Sequence, residues 1–162
     1  MDWLSNHWQV LAAFIGCNFL AASSGAVFRP GRWYLSLRKP AWTPPNWAFP
    51  VVWTALFLAN ALSGALVWVA AGPGERATLM IVYGVSLGLN ALWSALFFGM
   101  RRMDLALAEV VLLWLSIALT AAVFAPISPA AALLQLPYLL WVTIASALNL
   151  RLLQLNASPQ PA

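Results

Sequence analysis

The chain alternates between long apolar runs and short polar or proline-rich breaks. Five runs are each long enough to cross a bilayer as a helix, which takes about 20 apolar residues. This pattern predicts an all-α membrane protein, a bundle of five transmembrane helices that forms a single domain over residues 1–156. We place the helices at about 8–28, 46–71, 76–100, 104–124 and 129–155, and we expect a disordered tail at 157–162.

The break between the first and second helices differs from the others. Residues 29–45 read RPGRWYLSLRKPAWTPP and contain four prolines. Loops of this length in compact domains are often functional. We expect a long structured loop with a short helix near 33–37, and Thr43 before Pro44 predicts the N-cap of the second helix.

Basic residues are divided unequally between the two ends of the bundle. With five spans, one end carries only Arg76. The other end carries Arg29, Arg32, Arg38, Lys39, Arg101, Arg102 and Arg151. Cytoplasmic loops of membrane proteins have such an excess of Lys and Arg. We therefore expect a cytoplasmic C-terminus, an outside N-terminus and, as the default for helical proteins, the inner membrane. The lipid bilayer explains the net charge of +4, and nucleic-acid binding is not expected.

The composition excludes several classes of protein. Hydrophobic residues make up 63% of the chain and charged residues 7%, and the mean hydropathy is +0.83, which excludes a water-soluble globule. One cysteine, Cys17, and one histidine, His7, exclude an internal disulfide and a four-ligand Cys/His metal site. We expect the acidic Glu109 of the fourth helix to reach toward Arg101 or Arg102.

Three predicted helices each have a stripe that mixes aromatic rings with hydrogen-bonding groups, at the three- and four-residue spacing of one helix face. The stripes are Phe49, Trp53, Phe57 and Asn60 on the second helix, Asn90, Trp93 and Phe97 on the third, and Tyr138, Trp141 and Ala145 on the fifth. Lipid offers polar atoms no partner, so these faces should turn inward. A packed core is one interpretation, but three such stripes favour a cavity for a flat aromatic ligand.

The third helix also has a face of small residues. Gly84, Gly88, Ala91 and Ala95 lie on the side away from Asn90. Small residues let another helix approach closely. We expect a homodimer through this helix, with a contact inside the same chain as the alternative.

The segment from Trp33 to Trp53, WYLSLRKPAWTPPNWAFPVVW, resembles the signature of the translocator protein family, the tryptophan-rich sensory proteins or peripheral benzodiazepine receptors. NALW at 90–93 and PYLLW at 137–141 resemble the third and fifth helices of that family. The resemblance extends over about residues 8–156 and is nearer to the bacterial members. It implies a five-helix bundle, often dimeric, with a pocket under the first loop that binds porphyrins, haem and benzodiazepine-type ligands.

The resemblance also implies which residues bind the ligand. The positions that correspond to the family's pocket are Tyr34, Trp42, Phe49, Trp53, Asn90, Trp93 and Trp141. Two departures are visible: Ala41 stands where many bacterial members have a second tryptophan, and no tyrosine follows Tyr138 to complete the cholesterol motif of mitochondrial members.

The favoured function is a membrane receptor or sensor for tetrapyrroles, which regulates porphyrin levels or a stress response and requires no cofactor or metal. Arg32, Arg38 and Lys39 are the candidates for contacting porphyrin propionates, because opposite charges pair. One alternative is an enzyme that degrades porphyrin with light and oxygen, in which Trp53 and Trp141 would be catalytic. A second alternative is a porphyrin or sterol transporter, although the sequence has no internal repeat.

Overall fold

The computed structural model describes residues 2–28 and 31–157, which form helices and turns with no strand among them. Five helices are long and apolar enough to cross a membrane, which confirms the expected all-α bundle. The elements are α1 (Asp2–Val27), α2 (Arg32–Ser36), α3 (Ala48–Ala70), α4 (Pro73–Ser94) with a π-helical turn at Ala95–Gly99, α5 (Met103–Phe124), α6 (Pro129–Leu133) and α7 (Leu136–Asn156). Within the expected tail, residues 158–162 lie outside the described residues.

The five spans form a ring around a shared interior. Helix α1 lies between α3 and α4, and α5 lies between α4 and α7. The ring closes where α3 meets the short helix α6, whereas α3 and α7 themselves make few contacts. The incomplete contact between α3 and α7 leaves room inside the bundle next to the long loop.

Helices α1 and α3 pack tightly at a glycine. A Cβ atom on Gly64 would lie 2.5 Å from two ring carbons of Phe14 and 3.1 Å from the ring of Tyr83. Only a residue without a side chain fits at this crossing. The close packing of α1 against α3 at Phe14 therefore depends on Gly64.

A buried hydrogen-bond network lies next to the contact between Gly64 and Phe14. It joins α1, α3, α4 and the turn between α6 and α7. The amide of Asn18 donates to Tyr83 Oη, and the amide of Asn60 donates to Asn18 Oδ1 over 2.9 Å. Tyr83 Oη donates to the carbonyl of Asn60 over 3.1 Å. Gln135, between α6 and α7, donates to Asn60 Oδ1 and to Ser63 Oγ, each over 2.8 Å. Since lipid and apolar packing offer these amides no alternative partner, the network fixes the relative positions of the helices.

The start of the second span differs from the expectation. The helix begins at Ala48, and Thr43 does not cap it. The hydroxyl of Thr43 instead donates to the carbonyl of Pro40 over 2.7 Å, inside the loop. Two consecutive prolines, Pro44 and Pro45, keep the chain extended after Thr43, so the helix starts three residues beyond them.

The other spans also depart from unbroken helices. The first begins at Asp2 rather than near residue 8, with non-helical dihedral angles at His7. The third begins at Pro73, where Glu75 Oε2 accepts a hydrogen bond from the Gly72 N–H over 3.1 Å. The fifth is divided at 134–135. Pro137 has no N–H to continue the preceding helix, so the chain restarts as α7 at that point.

The last turn of the third span is widened. The N–H of Met100 donates to the carbonyl of Ala95 over 2.8 Å, five residues back, as in a π-helix. At Gly99 a Cβ atom would lie 2.8 Å from the ring of Phe28. This glycine lets the end of α1 pack against the widened turn.

Candidate ligand-binding site

A cavity of about 720 Å³ lies inside the bundle at the end that carries the long loop. Its wall draws on α1, α2, α3, α4 with the π-helical turn, α5 and α7. The residues of the wall that the sequence pattern or the resemblance had indicated are Tyr34, Phe49, Trp53, Phe57, Asn90, Trp93, Phe97, Trp141 and Ala145. The volume falls within the range of about 300–1,000 Å³ that small-molecule pockets occupy.

Three tryptophans from three different helices meet at this cavity. Trp53 comes from α3, Trp93 from α4 and Trp141 from α7. Trp93 stacks on Phe97 with ring centroids 4.9 Å apart, and Phe49 meets Trp141 edge to face at 5.9 Å. Neighbouring rings hold the indoles in place, so the wall is a set of fixed aromatic surfaces.

Three expected ligand-binding residues lie away from the cavity wall. Asn60 is fully engaged in the hydrogen-bond network between the helices. Tyr138 is buried in the core beside Trp53, and its hydroxyl accepts a hydrogen bond from the Asn90 amide over 2.7 Å. Trp42, in the loop, is 51% exposed. Asn60 and Tyr138 follow the helical spacing of the wall, but their side chains are already used to join helices.

The three candidate propionate contacts also lie outside the wall. Lys39 Nζ lies 4.5 Å from the centroid of the Tyr34 ring. Tyr34 itself lines the cavity. Arg32 lines a separate, smaller cavity together with Arg101. The backbone of Arg38 exchanges two hydrogen bonds of 3.0 Å with the side chain of Asn156, which ties the loop to the end of α7.

Burial of the Tyr34 hydroxyl raises its pKa above the usual value for a phenol, because burial disfavours the charged form. Tyr34 therefore contributes a neutral, hydrogen-bonding edge to the roof of the cavity at physiological pH. Helix α2 supplies this residue and packs it against Phe97 and Phe98.

The first helix contributes a wall that the sequence analysis missed. Asn18, Phe19, Ala22 and Gly25 of α1 line the cavity. Residues 18, 22 and 25 have helical spacing and are polar or small, which is the signal that could have identified them. Phe19 is 73% exposed, and Leu58 on the facing helix α3 is 53% exposed. The cavity therefore extends to the outer surface between α1 and α3.

The wall carries no charge among its described residues: none of them is Asp, Glu, His, Cys, Lys or Arg. In the described part of the chain, no cluster of three or more His, Cys, Asp or Glu residues could hold a metal ion.

Glu109 does not reach Arg102 as expected, because Arg102 pairs with Asp104 at 2.6 Å instead. Both carboxylate oxygens of Glu109 are buried without a hydrogen-bond partner.

The small-residue face of the third span points away from the cavity. Gly84 and Gly88 are exposed, and a Cβ atom on either would have no heavy atom within 4 Å. Ala91 and Ala95 are half-buried. None of the residues that the structure describes covers the two glycines, which leaves this face open toward lipid or another helix.

Comparison with known proteins decides the family. The TspO/MBR family profile matches residues 10–155. The chain belongs to the TspO/MBR family. Its relatives include the protein CrtK of Rhodobacter capsulatus, which is 40% identical over 149 residues, covering 91% of this chain and 92% of the relative. A tryptophan-rich sensory protein of Cereibacter sphaeroides is 38% identical over 149 residues, with 92% of each chain covered.

The same likeness reaches animal members of the TspO/MBR family. The human translocator protein is 36% identical over 150 residues, covering 91% of this chain and 87% of the human protein. Family membership and the five apolar helices together identify an integral membrane protein. The resemblance noted in the loop signature is thus confirmed over most of the chain.

Proposed function

We propose that this TspO/MBR protein is a membrane receptor or sensor that binds a flat tetrapyrrole, a porphyrin or haem, in the aromatic cavity. The observation that carries the proposal is the meeting of Trp53, Trp93 and Trp141 at one cavity. Aromatic side chains favour stacked and edge-on contacts with a flat ring, and each buries a large apolar area. A planar macrocycle is the kind of ligand that uses several such surfaces at once.

The charges of a tetrapyrrole would remain at the loop end of the cavity. The described wall offers no cation to a propionate, and a buried unpaired carboxylate is costly. Lys39 Nζ lies 4.5 Å from the centroid of the Tyr34 ring, and Tyr34 belongs to the wall. We therefore expect propionates to extend past Tyr34 toward Lys39 while the ring stays among the indoles.

Haem would be held by its ring and edges rather than by its iron. The single histidine, His7, lies near the start of α1, where its ring contacts Trp3. The cavity draws on α1 only from Ile15 onward. A porphyrin without iron should accordingly bind about as tightly as haem.

The proposal is tested by titrating the purified protein with protoporphyrin and following the shift of the porphyrin absorption band. The double variant Trp53→Phe/Trp141→Phe should bind at least tenfold more weakly, because two stacking surfaces shrink. The matched control is Trp8→Phe/Trp47→Phe, which changes two exposed tryptophans outside the wall. Equal affinity in the wild type and the cavity variant would refute the assigned pocket.

A second candidate function is light- and oxygen-dependent degradation of the bound porphyrin. Trp53 and Trp141 favour it, because both indoles belong to the wall that would contact an excited ring. Loss of the porphyrin absorption band under illumination should then slow in the Trp53→Phe/Trp141→Phe variant. Bleaching at the rate of free porphyrin in detergent would leave the receptor function alone.

The same cavity should accept benzodiazepine-type molecules, since its wall is apolar with a few neutral polar groups.

Two further proposals concern the oligomeric state and the location of the protein. We infer a homodimer through the face of Gly84, Gly88, Ala91 and Ala95, because no described residue of the chain covers the two glycines. We also infer an inner-membrane location with a cytoplasmic C-terminus, from the excess of Lys and Arg at the loop end.

A further inference from the structure

Asn149 is a buried amide without a partner on the wall of the cavity. It lies on α7, is 1% exposed and lines the cavity. Neither its Nδ2 nor its Oδ1 has a hydrogen-bond partner. Among the described residues, the other buried amides, those of Asn18, Asn60, Asn90 and Gln135, all form hydrogen bonds.

An unpaired amide in this position is costly. Buried polar groups almost always have a partner, and leaving one unsatisfied costs the desolvation of that group. In the membrane interior no water is at hand to compensate. The other buried asparagines, Asn18, Asn60 and Asn90, join helices, whereas the side chain of Asn149 has no hydrogen-bond partner among the described residues. A polar group that arrives with a ligand would satisfy it.

The unpaired groups around the cavity are mainly donors. Besides Asn149, the indole Nε1 atoms of Trp93 and Trp141 are buried without an acceptor. Two indole N–H groups and an amide NH₂ stand against a single acceptor, Asn149 Oδ1. The described wall also lacks any charged side chain. The complementary ligand group is therefore an uncharged acceptor, such as a ring carbonyl.

We propose that Asn149 is a specificity-determining residue of the cavity, whose amide donates to a neutral carbonyl on a flat aromatic ligand. This inference rests on the proposed function, because it requires that flat ligands bind among the indoles. It concerns carbonyl-bearing ligands such as the benzodiazepine-type molecules, since porphyrin and haem have no ring carbonyl. The final torsion of an asparagine side chain has a broad minimum, so the amide can turn toward a ligand. Asn149 is the stronger candidate than either indole, because it is the more deeply buried and has the larger unmet hydrogen-bonding capacity.

The test uses two neutral three-ring probes that differ in one group, fluorenone with C=O and fluorene with CH₂. Binding is measured by equilibrium dialysis against protein in phosphatidylcholine nanodiscs, with empty nanodiscs subtracted. Wild-type protein should bind fluorenone more tightly than fluorene by roughly five- to tenfold, the effect of one buried hydrogen bond. The ratio of the two affinities is compared between the wild type and each variant, so any difference in how the probes enter lipid cancels.

The preference should disappear in Asn149→Leu and in Asn149→Ser. The second variant keeps a small polar side chain and guards against a failure of the first to fold. The matched control is Gln154→Leu, which changes an exposed amide on the same helix and should keep the preference. Retention of the preference for fluorenone in both Asn149 variants would overturn the inference. Loss of the preference in Trp141→Phe, with the Asn149 variants unchanged, would assign the hydrogen bond to the indole instead.

The outcomes separate the two proposals. Equal binding of both probes to the wild type overturns the role of Asn149 and leaves a cavity for flat ligands intact. Binding of neither probe overturns the role of Asn149, and only a failure of the porphyrin titration as well overturns both proposals. A charged analogue, fluorene carboxylate, should bind more weakly than fluorenone, since the wall offers it no cation; tighter binding of the anion would contradict the inference.

Discussion

Trp93 stacks face to face on Phe97, with the ring centroids 4.9 Å apart and the planes inclined by 18°. Trp93 belongs to the regular part of α4, and Phe97 lies inside the widened turn that follows it. Trp33 and Tyr34 of α2 meet the same Phe97 ring at 5.8 and 6.3 Å. One side chain thus connects the cavity wall to the loop above it, and the loop is a packed roof.

Removal of the Phe97 ring should destabilise the bundle and release the roof. Phe97 is 1% exposed, and truncation of a buried phenylalanine costs about 3–5 kcal/mol. Phe97→Ala should lower the thermal unfolding temperature in detergent and weaken porphyrin binding. Leu92→Ala, at an exposed position of the same helix, is the control and should change the stability by less than about 0.5 kcal/mol. Equal effects of the two changes would show that Phe97 is not a packing centre.

Parts of this arrangement could be predicted from the sequence, for a physical reason. The stripes on α3, α4 and α7 contain tryptophan and asparagine, which differ from the surrounding aliphatic residues, so their helical spacing is visible. Trp53, Trp93 and Trp141 do line one cavity. The same spacing could not distinguish the wall from the core, because Asn60 and Tyr138 fall on the stripe but bond to other helices.

Other parts carry a weaker signal or none. The wall of α1 includes the helically spaced Asn18, Ala22 and Gly25, but it contains no tryptophan to distinguish that face from the rest of the helix. The π-helical turn at 95–99 packs against Phe28 and α2, and no spacing in the sequence predicts it. The pairing of Arg102 with Asp104, and not with Glu109, depends on the turn geometry at Arg101, whose φ of 57° is in the left-handed region.

The glycine at the α1–α3 crossing should be intolerant of any side chain. Gly64→Ala would bring a methyl group to 2.5 Å from the Phe14 ring, and overpacking of this kind costs about 1–3 kcal/mol. We expect a lower unfolding temperature. Gly16→Ala is the matched control, since a Cβ atom there has no heavy atom within 4 Å, and it should be neutral or stabilising. A stable Gly64→Ala protein would mean that Phe14 moves away freely.

The loop should be held in place by the end of α7. Asn156 Oδ1 accepts from the Arg38 N–H, and Asn156 Nδ2 donates to the Arg38 carbonyl, each over 3.0 Å. Asn156→Ala removes both bonds, so trypsin should cleave after Arg38 several times faster than in the wild type, whereas the bond after Lys39 is protected by Pro40. Gln154→Ala, which breaks only a contact with Arg151 on the same helix, serves as the control. An unchanged cleavage rate in Asn156→Ala would show that the aromatic contacts alone fix the loop.

The opening between α1 and α3 should be closed by one larger side chain. Ala22 lines the cavity on the side where Phe19 and Leu58 are exposed. Ala22→Phe would place a ring in this space, and we expect porphyrin affinity to fall at least tenfold while the protein stays folded. Ala13→Phe adds the same ring at an exposed position of α1 outside the wall and should bind normally. If Ala22→Phe bound porphyrin as tightly as Ala13→Phe, the α1 side of the cavity would not contact the ligand.

The exposed glycines of α4 should determine the oligomeric state. A leucine at Gly84 and at Gly88 would keep a second helix from approaching, because close contact between helices in lipid depends on small residues. We expect the wild type to be dimeric in detergent by light scattering and Gly84→Leu/Gly88→Leu to be monomeric. Gly16→Leu, at an open position of α1, should remain dimeric. A dimeric double variant would place the interface elsewhere on the bundle, and a monomeric wild type would remove the dimer altogether.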